Sequence, residues 1–133
     1  MDILELRELC LSLPETEETL PFDETTLVYK VAGKMFALTD MEHLERVTLK
    51  CDPELGIMLR DRYDEITEAY HMNKKHWITV CIVGDLPSEL IRELVYHSYA
   101  SVVSKLPRNQ RERFSEIILF DAERSSLSAL RNH

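Results

Sequence analysis

Glycine is scarce in this chain of 133 residues, which has only three, alongside five prolines, one tryptophan and three cysteines. The glycines are single and scattered, so no glycine-rich loop is present to cradle a nucleotide phosphate. Cys10, Cys51 and Cys81 lie far apart and form no C-x-x-C pair, which removes the usual redox-dithiol and structural-zinc patterns. Each sits in an apolar pattern and reads as a buried, unpaired thiol. No apolar run approaches the roughly 20 residues that span a bilayer. The opening MDILELRELC is acidic and helical in pattern, without the basic leader of a secretory signal. The expectation is a cytoplasmic protein that does not engage membranes.

Positive charge is short as well. Sixteen Lys/Arg stand against 24 Asp/Glu, a net of −8, and the far field of such a protein repels polyanions. The imbalance is local, however. Residues 1–66 hold 7 basic and 16 acidic side chains, a net of −9, whereas residues 67–133 hold 9 and 8, a net of +1. A uniformly basic protein is excluded; a basic face in the second half is not. What is present is otherwise ordinary: 44% hydrophobic and 30% charged residues, in a length that suits one core.

Apolar spacings of three and four over residues 3–13, with Asp2 before them and Pro14 after, predict an amphipathic helix. The stretch PETEETLPFDET, with five acids and two prolines, reads as a solvated loop. TLVYKV (26–31) and KMFALT (34–39) flank Ala32-Gly33 at hairpin spacing. RVTLKC (46–51) alternates Val47, Leu49 and Cys51 against Arg46, Thr48 and Lys50, the pattern of a strand with one buried and one wet face. Asp52-Pro53 is a strong helix start, and that helix ends near Tyr63. Residues 66–70 and 77–83 read as two more strands. Residues 87–106 carry the broadest apolar stripe in the chain, a helix that must lie across the sheet. The predicted order is α-β-β-β-α-β-β-α, an α+β domain with an antiparallel sheet covered by helices. Residues 1–107 form that domain. Residues 108–133 are a C-terminal extension rather than an independent domain: RNQRERF is basic and helical, and SEIILFD suits an edge strand or a partner contact.

The segments VAGKMFAL, LKCDPE, YHMNKKHWITV and SYASVVSKLP, in this order and at these spacings, resemble the MmcQ/YjbR family of small bacterial proteins. The resemblance runs from about residue 2 to residue 107. It implies an α-β3-α-β2-α fold of the CyaY-like kind, related also to type III secretion chaperones. It also implies the family's label of a DNA-binding, double-wing protein. No catalytic set comes with it, and the chain after Pro107 is longer than the family's usual pattern.

Residues 70–77 hold the most unusual letters: two histidines, two lysines, an asparagine and the tryptophan. His71 and His76 are five apart, which places them on opposite faces of a regular strand, and the lysines beside them repel cations. No metal and no cofactor are expected. Ser98, Cys51 and His71 supply the letters of a nucleophilic site without a nucleophile elbow or an orienting third group, so the chain reads as a non-enzymatic binding module.

Two ligand classes follow. For nucleic acid, Lys74 and Lys75 meet phosphates, Asn73 bonds a base edge, and His76 or Trp77 stacks, with Lys30, Lys34 and Lys50 on the same sheet. For a protein partner or a second copy, an exposed sheet face, the acidic segment 15–24 and the FSEIILF stretch (114–120) are the contact surfaces. Under a purely structural reading of the same residues, Tyr70 and Trp77 cover the end of the core and Asn73 shapes the turn. His71 and His76 then bond backbone, or Ser98 and Tyr99 on the long helix.

Overall fold

Helix α1 (Ile3–Ser12) forms where the apolar spacing predicts it and buries Leu6, Leu9 and Cys10. Asp2 caps it, its carboxylate accepting from the Glu5 N–H at 2.9 Å. Burial pushes the Cys10 thiol up to about 12. The computed structural model describes residues 1–20, 23–69 and 72–114. The segment SEIILFD and the rest of the chain after Phe114 lie outside the described residues.

The acidic stretch after α1 is the first departure from the sequence reading. Glu15 turns the chain through a left-handed conformation (φ 58°), and Thr16–Thr19 pair with the next strand as β1. Acidity pointed to solvent, but an edge strand needs only one ladder, and charge on an edge discourages unwanted pairing. Here the charges are also matched. Glu17 stands opposite Lys30, and Glu18 accepts from the Arg7 guanidinium of α1 at 2.8 Å. That hydrogen bond holds the Glu18 carboxyl below its ordinary range.

Strands β2 (Thr26–Val31) and β3 (Lys34–Asp40) form the expected hairpin. Its two turn residues, Ala32 (φ 49°) and Gly33 (φ 78°), are both left-handed, the type I′ arrangement that matches strand twist. Glycine bears this without cost; alanine does not. Ala32→Asn should therefore raise stability by about 0.5–1 kcal/mol, a modest recovery of left-handed strain. Urea unfolding at unchanged slope would show it, and a fall in midpoint would contradict it.

Strand β4 (His43–Lys50) begins three residues earlier than the sequence suggests, because Asp40 pairs with His43 across a tight turn. Helix α2 (Pro53–Arg62) is capped by Asp52, whose carboxylate accepts from the Leu55 N–H at 3.2 Å. Strands β5 (Ile66–Glu68) and β6 (Trp77–Cys81) are shorter than the 66–70 and 77–83 expected of them. Beyond β6, Val83 is 57% exposed and has no strand partner among the described residues. Helix α3 (Ser88–Val103) is followed by a single turn, α4 (Arg108–Arg111), and a 3-10 turn ending at Phe114.

The six strands are antiparallel throughout, in the order β1-β2-β3-β4-β6-β5. Alternation divides the sheet cleanly. Tyr29, Val31, Val47, Leu49, Ile78 and Val80 point to the face on which Leu6, Leu55, Leu59 and the stripe of α3 pack. Val28, Leu38 and Trp77 point the other way, into a small cluster with Ala69, Met35 and Met72. No described helix side chain belongs to that second cluster, so the described helices pack on one face of the sheet only.

Two residues of α3 lock the covered face. The β3–β4 register runs to Ala37 opposite Leu49, and one pair further on the Ser98 hydroxyl stands between the strands. It accepts from the Lys50 N–H at 2.9 Å and donates to the Phe36 carbonyl. Tyr99 packs edge-to-face on Phe36 (5.3 Å) and Phe114 (6.2 Å) and donates its hydroxyl to the Pro14 carbonyl at 2.6 Å. Among the described residues, no helix is long and apolar enough to cross a membrane.

Candidate functional site

On the face opposite the helices, strand register aligns one transverse row. Val28 is opposite Leu38, Leu38 opposite Thr48, Thr48 opposite Thr79, and Thr79 opposite Thr67. The Thr48 and Thr79 hydroxyls are 3.3 Å apart. Leu38, Thr48 and Thr79 form the floor of a groove of about 750 Å³, with Met72 as an apolar wall. Thr26, Asp23, Asp40, His43 and Arg46 stand at its mouth. That volume lies in the range of ordinary ligand sites.

Asp23 ties its side of the mouth together with hydrogen bonds. One Asp23 oxygen accepts from the Thr25 and Thr26 N–H groups, each at 2.7 Å, and both threonine hydroxyls also reach its carboxylate. The Thr25 backbone bond, then that of Thr26, holds the Asp23 carboxyl below its usual range. The folded value being the lower one, the contribution of this turn is complete above the ordinary aspartate pKa of about 3.9 and is lost as pH falls through the folded value. The Thr25 and Thr26 amide resonances should therefore titrate with a midpoint below that of an unstructured aspartate. A midpoint at or above it would refute the assignment. His43, in turn, is 3.5 Å from Glu45.

The residues singled out by sequence are distributed elsewhere. Asn73 does shape its turn, its side-chain oxygen accepting from the Lys75 N–H at 3.0 Å. The His76 N–H bonds the Asn73 carbonyl, and the His76 carbonyl accepts from the Cys51 N–H at 2.7 Å. Lys74 lies 3.7 Å from Glu68, and Lys75 is exposed. Trp77, 8% exposed, belongs to the apolar cluster with Val28, Leu38 and Ala69, so it is buried rather than offered for stacking. Lys30 stands opposite Glu17. Among the described residues of this set, Lys34 and Lys50 lie within electrostatic reach of each other. Tyr70 and His71 lie outside the described residues.

Ser98 and Tyr99 make the polar contacts expected of them, but with the backbone of Phe36, Lys50 and Pro14 rather than with His76. A histidine that the sequence reading passed over, the buried His97, accepts from the Asp52 N–H at 3.3 Å through Nε2. Of the thiols, Cys10 and Cys51 are buried, while Cys81 is partly exposed, a correction to the expectation for all three. Among the described residues, no group of three potential metal ligands gathers.

The groove residues Arg46 and Thr48 were visible as the wet side of β4, but Thr26, Asp40, His43 and Thr79 carried no signal of their own. Only the lateral register brings them beside Thr48.

Comparison with known proteins agrees with this architecture. The family model described as YjbR matches residues 11–101. The chain is 35% identical over 113 residues to the uncharacterized protein YjbR of Escherichia coli K12, covering 84% of this chain and 96% of that protein. It is 34% identical over 108 residues to the uncharacterized protein YbdF of E. coli O157:H7, covering 80% and 88%. A crystal structure of Deinococcus radiodurans protein DR2400, with a DUF419 domain, superposes with a TM-score of 0.79 at 41% identity, covering 86% of this chain and 88% of that one. A crystal structure of a Pseudomonas syringae protein gives a TM-score of 0.64 at 28% identity, covering 74% and 96%. The chain belongs to the YjbR family.

Proposed function

We propose that the protein is a non-enzymatic binding module that receives a segment of a partner protein on the face of its sheet opposite the described helices. The observation that carries this reading is the groove itself. Its floor of one leucine and two threonines, with Met72 beside it, offers apolar contact and hydroxyl hydrogen bonds together, as short peptide segments require. Its mouth mixes Asp23 and Asp40 with Arg46 and His43, which favours a partner of mixed charge over a polyanion. Threonines, and no serine or cysteine, stand among the described residues that line it.

The test is selection from a displayed library of random peptides, run in parallel on the protein and on a Thr48→Arg/Thr79→Arg variant whose fold is checked by amide spectra. Sequences enriched only on the unmodified groove support the reading. Equal enrichment on both, or on neither, overturns it. Sedimentation of the protein alone shows whether a second copy is the partner.

A second reading, nucleic acid at the β5–β6 hairpin, is favoured by the outward placement of Lys74 and Lys75 on the Asn73 turn. It requires binding that weakens steeply with salt and is lost in Lys74→Glu/Lys75→Glu. Absence of binding to single- and double-stranded DNA and RNA at low salt would end it.

A further inference from the structure

Three lysines from three elements meet at the end of the sheet away from the groove mouth. Lys34 opens β3, Lys50 closes β4, and Lys105 follows the last turn of α3. The register places Lys50 one pair beyond Ala37–Leu49, opposite Phe36 and so two residues from Lys34. The Ser98 bridge between the Lys50 N–H and the Phe36 carbonyl fixes that placement. Lys105 is held by the turn that closes α3, its N–H bonding the Val102 carbonyl at 3.1 Å.

Lys34 and Lys105 are exposed and Lys50 is partly buried. Burial pushes the Lys50 ammonium down, and the charges of Lys105 and Lys34 push it further, so Lys50 lies within electrostatic reach of both. Among the described residues none of the three has a carboxylate within salt-bridge distance, in contrast to Lys74. Like charges gathered without a counter-charge are unfavourable by themselves, and an anion placed among them relieves all three at once.

We infer that Lys34, Lys50 and Lys105 form a binding site for a phosphate-type oxyanion. Lys50, partly shielded from water, supplies the charge that solvent screens least. Lys34 and Lys105 bring point charges with rotatable donors from either side, the way lysine holds phosphate. The chemistry specified is that of the phosphate group, whether inorganic, nucleotide-borne or part of a nucleic-acid backbone. The site lies away from the groove mouth and beside the β5–β6 turn, Lys50 being opposite Trp77. It is therefore independent of the groove reading, and Lys74→Glu/Lys75→Glu, which abolishes the hairpin reading, should leave phosphate saturable at Lys34, Lys50 and Lys105.

The test is a titration of the protein with inorganic phosphate at low salt, followed by calorimetry and by the side-chain Cε resonances of labelled lysine. The expected result is saturable binding in which the Lys34, Lys50 and Lys105 signals move together and the Lys50 ammonium pKa rises. Lys34→Gln, Lys50→Gln and Lys105→Gln should each weaken binding about tenfold, whereas Arg62→Gln and Arg92→Gln leave it unchanged. Adenosine monophosphate and a short DNA duplex are the comparison ligands. Equal affinities assign the site to the free anion, tighter binding of either assigns it to that source, and both keep the site.

Absence of saturation overturns the inference. So does equal weakening in the arginine variants, which marks diffuse charge. A Lys105→Gln variant that lowers the melting temperature but binds phosphate normally also overturns it, because Lys105 then serves only the C-terminal end of α3.

Discussion

Replacing Phe114 with alanine should cost about 3–5 kcal/mol of folding free energy, the range for removing a buried phenylalanine from a packed core. Phe114 is 1% exposed and packs against Tyr99, which is itself fully buried against Phe36. The ring therefore completes a stack that runs from the residues after α3 to the centre of the sheet. Arg113 ties the same segment to Glu15 at 2.9 Å, but that pair is half exposed and contributes little. A chain ending at residue 107 should lose comparable stability, on the order of 4 °C of melting temperature per kcal/mol. Thermal unfolding of the two variants checks this. A Phe114→Ala protein within about 1 kcal/mol of the parent would show that the core closes without it.

The second large effect is expected at Ser98. Its hydroxyl takes the place of one rung in the β3–β4 ladder, and the side chain is fully buried. Ser98→Ala would leave the Lys50 N–H and the Phe36 carbonyl without that partner. Each orphaned buried group costs about 1–3 kcal/mol, so a loss of about 2–4 kcal/mol is expected. Hydrogen exchange of the Lys50 amide should accelerate with it. If the strands instead close and bond directly, both the free-energy change and the exchange change will be small, and the bridging role will be refuted. The same variant bears on the lysine cluster, since Ser98 holds Lys50 in register with Lys34.

These two residues also show what a sequence makes visible. The stripe of α3 was plain because ten of its sixteen residues face inward, and Ser98 and Tyr99 stood out as polar groups on that face. The Asp52-Pro53 start of α2 and the Ala32-Gly33 hairpin were plain because capping and left-handed turns demand particular residues. Strand β1 was hidden, since TEET has no apolar periodicity and its place is set by Arg7, Lys30 and the neighbouring ladder.

Residues 70–77 drew attention by their letters, yet Trp77 and Asn73 serve packing and turn geometry, and Lys74 lies beside Glu68. The groove had the opposite fate. Its residues are common, come from several strands and the turns beside them, and acquire meaning only through lateral register, which no local pattern encodes. The gathering of Lys50 with Lys105 has the same origin, because 55 positions separate them in the chain.

The central claim is that the sheet face opposite the described helices is the surface that receives a partner segment. Amide chemical-shift mapping with a peptide selected on the unmodified groove tests it most directly. Shifts concentrated on Thr26, Leu38, Thr48, Met72 and Thr79, with α1 and α3 unmoved, are the predicted result. Shifts confined to the helical face or to residues 73–76, with the Leu38–Thr48–Thr79 row unchanged, would contradict it.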